Sequence, residues 1–439
     1  MVLLFNSQKG WPPGKSLTCK SYNEALDKKT EAADVRYQVW AVDVCSWSPY
    51  ILVCPVVDKP DNFAITDTTH GSEPVTIPYR HAVNESLGVV ACFSPLFFFE
   101  RWQIMYLSLE IHRQFGVGRQ VYYVQSMRKN IYNLLSAYQR AGVVDVEAWQ
   151  GMDFSDTYKY SDNPNEELEW RNQAGAHTDC YVKYRESAEF IIISDIDDVL
   201  IPRHHKNYLD EFHMLNIQYP DASALRYYRF NTAFQTEKES SGYSVDEAIN
   251  TARIAMMQRE DGKSVIKTKV VETVWIHWPA LTKGDYKYYD IDSAFNFMIH
   301  FRNWTASSEA KNINKTSRVY KTSLPAHNFF AADKFRLLQL RAQNFVEKHA
   351  RSEFDALPTD SVYYKLIENC YNDMFYSKGR KVTTCPSPAR CNFPGNLQGV
   401  KCAVAGGKVK HTFVNDNLIV HSPATTKRME IHSDGCKYL

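Results

Sequence analysis

Phe190-Ile191-Ile192-Ile193-Ser194-Asp195-Ile196-Asp197-Asp198-Val199-Leu200 is an apolar run that ends abruptly in three acids. Phe190–Ile193 reads as a buried strand. If the chain stays extended, alternate side chains share a face, so Asp195 and Asp197 point one way and Asp198 the other. Neighbouring carboxylates repel unless positive charge lies between them, and a divalent cation held by oxygens supplies it. A single Asp suffices to cap the turn after a strand, so three acids within four positions ask for more than capping. In an open α/β sheet, phosphorylated ligands bind at the carboxyl ends of the strands. The stretch therefore reads as a site for a metal ion and a diphosphate.

The flanking pattern supports that placement. Upstream, strand Gly88–Phe93 precedes a helix whose face Trp102, Met105, Tyr106, Leu109 runs to a stop at Gly116. Strand Arg119–Val124 follows, then a helix capped by Asn130, striped by Ile131, Leu134, Leu135, Tyr138 and Ala141, and closed by Gly142. Strand Val143–Trp149 and a polar helix within Glu166–Glu186 complete the approach to Glu189–Ser194. Alternating strands and helices predict a parallel sheet with right-handed crossovers, the acids ending its fourth strand. Downstream, a helix is expected over His205–Ile217, strands over Ala222–Phe230 and Thr268–Ile276, and a helix over Ala332–His349. Before residue 87 the chain is irregular and β-leaning, with strand-like composition at Val39–Val44 and Tyr50–Val57. The expected division is an N-terminal extension, 1–86, an α/β catalytic domain, 87–330, and a C-terminal helix with a cysteine-rich tail, 331–439, packed on it.

Composition narrows the function. With 44% hydrophobic and 23% charged residues, a chain of 439 residues builds a large core rather than a disordered one. The 51 basic and 50 acidic residues leave a net charge of +1 with no Lys/Arg run, which argues against nucleic acid or an anionic membrane surface as partner. None of the ten cysteines forms a C-x-x-C pair, which argues against zinc ribbons and thioredoxin-like motifs. Five of them lie beyond residue 369 and are expected to staple the tail to itself. Sequons at Asn84, Asn303 and Asn314 point to the same oxidising compartment. The apolar run Met1–Phe5 is too short for a signal segment, and no later stretch reaches the roughly 18 apolar residues of a spanning helix, so any membrane anchor lies outside this sequence.

Two histidines follow apolar strands, His277 after Val270–Ile276 and His300 after Phe295–Ile299. Such a histidine is commonly a hydrogen-bonded turn or core residue, but beside the acids either suits a nitrogen ligand to Mn²⁺. Arg302 suits a bidentate grip on phosphate. A rival reading is a haloacid-dehalogenase-type phosphatase, whose Asp-x-Asp-x-[Thr/Val] is matched by Asp195-Ile196-Asp197-Asp198-Val199. Its later acidic motif is imitated by Gly284-Asp285 and Asp290, but its nucleophile belongs on the first core strand, and here three strand–helix units come earlier.

Taken in order, Cys92-Phe93-Ser94-Pro95-Leu96-Phe97, the helix with Trp102 and Gly116, Ala141-Gly142-Val143-Val144-Asp145-Val146, Phe190–Pro202 and His300-Phe301-Arg302 resemble glycosyltransferase family 92, over roughly residues 88 to 305. The resemblance implies a GT-A (Rossmann-like) fold, a UDP-sugar donor such as UDP-galactose, a glycan acceptor, Mn²⁺ (or Mg²⁺), inversion at the anomeric carbon, and the Golgi lumen behind a type II anchor. Carried onto this chain, it makes Asp195 and Asp197 the metal and donor site, with His300 and Arg302 on the matching motif; Arg302 and Ser94 are the further candidates for donor contact, and His300 and His277 for metal ligands. This chain has Phe301 where the family's His-Tyr-Arg-like motif has Tyr, so any role of that hydroxyl in sugar specificity or activity would be lost. An inverting transfer needs a carboxylate on the acceptor side, and Glu239 and Asp246, in the loop-like stretch Glu237–Asp246, are the candidates. A third reading is an inactive, secreted glycan-binding protein on the same scaffold.

Overall fold

The computed structural model describes residues 1–10, 17–39, 43–67, 73–151, 163–307, 322–377, 382–415, 418–423 and 428–437. The strands along the main path of the central sheet are β1 Gly88–Leu96, β2 Arg119–Val124, β3 Val144–Ala148, β4 Ala188–Ser194, β5 Asp198–Leu200, β6 Ala222–Thr236, β7 Arg253–Lys267 and β8 Met298–Ala306, with Lys287–Ile291 pairing β6 and Leu324–Pro325 pairing β7 off that path. The principal helices are α1 Trp102–Gln114, α2 Lys129–Arg140, α3 Gln173–Tyr184, α4 Tyr208–Gln218, α5 Val245–Asn250, α6 Leu338–His349 and α7 Tyr364–Phe375.

The first four strands are parallel because helical crossovers join them, and β1, β2 and β4 are buried on both faces while the edge strand β3 is only partly covered. Along β1, Val89, Ala91 and Phe93 enter one core while Val90 and Cys92 enter the other. On β4, Ile192 joins the first core and Ile191 and Ile193 the second. The sheet order is β3-β2-β1-β4-β7-β6-β8-β5. From β1 the chain moves outward through β2 and β3, then returns to place β4 on the opposite flank of β1. That reversal opens a crevice at the carboxyl ends of β1 and β4, the usual ligand position in an open α/β sheet. Ser94 and Asp195 stand at those two ends. Beyond β4 the sheet becomes mixed, with β7 antiparallel to β4, β6 antiparallel to β7, β8 parallel to β6 and β5 antiparallel to β8.

Several expectations require correction. Asp195, Ile196 and Asp197 form a turn between β4 and β5, with the Asp198 N–H donating to the Asp195 carbonyl at 3.1 Å. The strand alternation assumed for the acids therefore does not apply. Asn130 lies inside α2 rather than capping it, its side chain donating to the Ala356 carbonyl. Val39 is in a bend and Asp43-Val44 in a turn, residues 40–42 lying outside the described set. The strand expected over Thr268–Ile276 is confined to Val271–Val274. In the tail, strand Cys402–Gly406 pairs with Ser126–Arg128 and Arg428–His432.

All ten cysteines are paired, as Cys19–Cys54, Cys45–Cys385, Cys92–Cys180, Cys370–Cys391 and Cys402–Cys436. Two of these bonds close within the tail, but Cys385 joins Cys45, 340 residues away. The reason is local docking. Ser387 and Arg390 bond to Asn165, Glu166 and Glu167, and Glu167 also accepts from Ser46, beside Cys45. Among the described residues no helix is long and apolar enough to cross a membrane.

Candidate active site

Asp195 is held on three sides. One carboxylate oxygen accepts from Gln173 Nε2 on α3 at 2.9 Å and from the Ser94 hydroxyl at the end of β1. The other faces Lys263 Nζ of β7 at 2.8 Å. Ser94 Oγ in turn lies 3.0 Å from His177 Nε2. Burial alone would raise the Asp195 pKa, but Lys263, Arg229 and the bonds from Lys263 and Ser94 hold it well below the usual carboxylate range.

Strand pairing assembles the rest. In the β5–β8 register Asp198 lies directly opposite His300. Asp197, Asp198 and His300 each present one ligand atom, all within 4.8 Å of one another. His300 Nε2 lies 3.5 Å from Asp197, and Nδ1 lies 2.9 Å from Glu260 of β7. Burial opposes protonation of His300, yet Asp198 and Asp197 prevail and push its pKa up to about 10. Glu260 is also opposed by burial, but bonding and charge from His300, with Arg229, bring it down to about 2. Arg229 on β6 binds Asp198 at 2.9 Å, with Glu260 at 3.5 Å and Asp195 at 3.9 Å. Asp198 is fully buried, and burial raises its pKa against the pull of Arg229. Among the described residues its Oδ1 has no hydrogen-bond partner.

A β-bulge brings Glu260 and Lys263 to the same place. Residues three apart on a regular strand face opposite ways. Tyr227 pairs with Lys263 but Arg229 with Glu260, so β7 carries one extra residue against β6 and both side chains reach the site. Gly262 permits it, because a Cβ there would stand 2.5 Å from the Tyr227 carbonyl oxygen. Arg229, Glu260 and Lys263 were missed in the sequence. The available signal was a glycine beside a lysine inside an otherwise strand-like run, Gly262-Lys263-Ser264-Val265-Ile266.

The other candidates are placed as follows. Arg302 lies 3.7 Å from Glu260, and its carbonyl accepts from Arg101 at 2.7 Å. His277 stands apart from the three-ligand set, its Nδ1 2.7 Å from the Gly262 carbonyl; burial, with Lys263, keeps it neutral down to about 3. Asp246 lies in the first turn of α5, where its N–H faces Gln339 of α6, and Glu239 precedes a short 3₁₀ turn. Among the described residues neither bonds to the three acids, His300 or Arg302. Asp290, the mimic of a second phosphatase acid, is spent on a forked pair with Arg226 at the exposed sheet edge, and Gly284-Asp285 lies in a turn.

Phe301 is buried and packs edge-on against Phe234, centroids 5.3 Å apart, on the face of β8 opposite to His300. A tyrosine there would put its hydroxyl in the core rather than against a donor. Phe301→Tyr is therefore expected to leave UDP affinity unchanged while lowering stability by about 1–3 kcal/mol for an unpaired buried hydroxyl. Calorimetric UDP titration and thermal unfolding check both parts.

This geometry, an acidic and imidazole-bearing crevice at the switch point of a parallel sheet, is that of an α/β enzyme for phosphorylated ligands. The family model for glycosyltransferase family 92 matches residues 88–333, more than half of the chain. The chain is 27% identical to the Caenorhabditis elegans glycosyltransferase family 92 protein F59C6.8, over 99% of this chain and 84% of that protein. A second such protein of that organism, F13G3.3, is 26% identical over 96% of this chain and 83% of its own length. The chain belongs to glycosyltransferase family 92, and with it comes glycosyltransferase activity on a nucleotide-sugar donor and an acceptor. Its five disulfides fit the lumen of the secretory pathway.

Proposed function

We propose that this enzyme transfers a hexose, galactose from UDP-galactose, to a glycan hydroxyl with inversion, in the Golgi lumen, using Mn²⁺ or Mg²⁺. The observation that carries the reading is the orphaned Asp198 Oδ1, buried beside Asp197 and His300 within mutual coordination reach. An unpaired buried carboxylate oxygen is costly unless a cation completes it. Two carboxylates and one imidazole form an oxygen–nitrogen donor set that suits Mn²⁺. Asp197, Asp198 and His300 would hold the ion, which supplies countercharge to the diphosphate leaving group.

The chain's own residues prepare the crevice. Lys263 and Arg229 keep Asp195 ionised and hold Asp195 and Asp198 in place, so the acids need no reorganisation when the donor arrives. Glu260 orients His300 through Nδ1, leaving Nε2 toward Asp197. Arg302, partly exposed beside Glu260, is available to the diphosphate. With Phe301 in the core, that substitution lends no support to an inactive scaffold.

A panel of nucleotide sugars, each with and without Mn²⁺ and read by UDP release, tests the proposal. Turnover of UDP-galactose that requires the ion is expected. Phosphate release from simple monoesters, with no UDP-sugar turnover, would overturn it.

A further inference from the structure

The loop that leaves β1 is held by the tail in a shape it would not adopt alone. Phe98 has φ 47°, a left-handed backbone that is an outlier for a bulky side chain. Its ring is buried, with centroids 4.2 Å from Phe393 and 5.1 Å from Tyr363, and its N–H donates to Ser126 Oγ at 2.9 Å. Glu100 is buried and accepts from the N–H groups of Val362, Tyr363 and Tyr364 at 2.8, 2.8 and 2.7 Å. Trp102 Nε1 donates to the Pro358 carbonyl at 2.8 Å. Backbone strain persists only where the surroundings over-determine it, and ligand clamps are where it gathers. The residue fixed between Glu100 and Trp102 is Arg101.

Arg101 reaches the acids. Its guanidinium donates to the Arg302 carbonyl at 2.7 Å, and one residue earlier on β8 the Phe301 N–H donates to the Asp197 carbonyl at 2.8 Å. The Tyr364 ring, at the start of α7, lies 4.1 Å from the guanidinium carbon and covers one face of it. Burial would raise the Asp197 carboxyl, but His300 first, and Arg101 after it, bring it down. The other cations here are already taken. Lys263 serves Asp195, Arg229 serves Asp198 and Glu260, and Arg302 faces Glu260. Among the described residues Arg101 has no carboxylate partner, only the carbonyl and the ring. A half-buried guanidinium without an anion, beside a crevice for phosphorylated ligands, is a positive charge awaiting a negative one.

We infer that Arg101 grips the donor diphosphate and that Tyr364 of the tail positions it to do so. The inference rests on the transferase reading above. The carbonyl bond to Arg302 occupies one edge of the planar fork, and the remaining N–H groups suit two phosphate oxygens. Carbonyl and ring fix the plane of the guanidinium in advance, so little side-chain freedom is lost when the donor binds. The tail thereby takes part in donor recognition through a residue of the catalytic domain.

The test titrates UDP and uridine by calorimetry into the full chain with Mn²⁺. Arg101→Gln is expected to weaken UDP binding by about ten- to a hundredfold and to leave uridine binding unchanged. Arg101→Lys, the milder change, keeps the charge without the fork and should lose about three- to tenfold for UDP alone. Tyr364→Leu should also cost UDP about three- to tenfold, and Tyr364→Phe, which keeps the ring, should recover most of that. UDP affinity within about twofold of native in the folded Arg101 variants would overturn the assignment. So would equal losses for UDP and uridine, which would make Arg101 merely a support of the loop. Native-like UDP binding by Tyr364→Leu would overturn the part given to the tail. Absence of UDP binding by the native chain would instead sink the nucleotide-sugar reading itself.

Discussion

Asp197→Ala loses metal-dependent UDP-hexose turnover by about a thousandfold and keeps its fold. The size follows from the proposed metal reading, in which Asp197 would be one of three ligands to the countercharge for the leaving diphosphate, an electrostatic contribution on the order of 3–4 kcal/mol to the transition state. The fold survives because the side chain is partly exposed and its ionic partner among the described residues, His300 at 3.5 Å, retains Glu260. Asp195→Ala behaves differently. It leaves Lys263 buried without its carboxylate, so stability falls along with activity. Thermal unfolding and UDP release, measured on both variants, separate the two roles. Full turnover by Asp197→Ala would reject the metal assignment.

Arg229→Met carries the largest expected cost in stability, about 3–5 kcal/mol. Arg229 is the shared countercharge of Asp198, Glu260 and Asp195, and its Nε also donates to the Asp261 carbonyl at 2.6 Å across the bulge. Removing it takes away the cation that hydrogen-bonds the fully buried Asp198 carboxylate, leaving only the charges of His300 and Lys263 near it. Added Mn²⁺ should restore part of the loss, because an ion that binds only the folded state stabilises it by mass action. The comparison is the melting temperature of variant and native chain, each with and without millimolar Mn²⁺. A melting temperature within a degree of native, in the absence of metal, would refute the role given to Arg229.

Much of the sheet could be read from residue order. The apolar runs of β1, β2 and β4 are continuous because both faces are buried, and Leu134 and Tyr138 keep helical spacing because α2 buries one stripe, whereas α1 is buried all round from Trp102 to His112. The acids and His300 were recognisable because charge after an apolar strand needs an explanation. What could not be read depended on contacts distant in sequence. Whether Asp195 to Asp197 turn or stay extended is decided by the pairing of β5 with β8, a hundred residues on. Lys263 and Glu260 share a face only because of a bulge, which periodicity conceals. Cys385 finds Cys45 because the tail docks on Glu167, and no spacing rule encodes docking. Glu239 and Asp246 suited a mobile lid by composition, yet Ser244 caps α5 and Gln339 ties its first turn to α6.

The rung that sets Asp198 across from His300 also fixes how far this enzyme tolerates a change in residue count. Slipping β8 by one position would turn the imidazole into the oily interior and set Ile299 or Phe301 across from Asp198. A deletion or insertion between Asn296 and His300 should therefore be as damaging as loss of the histidine itself, even with every ligand still encoded.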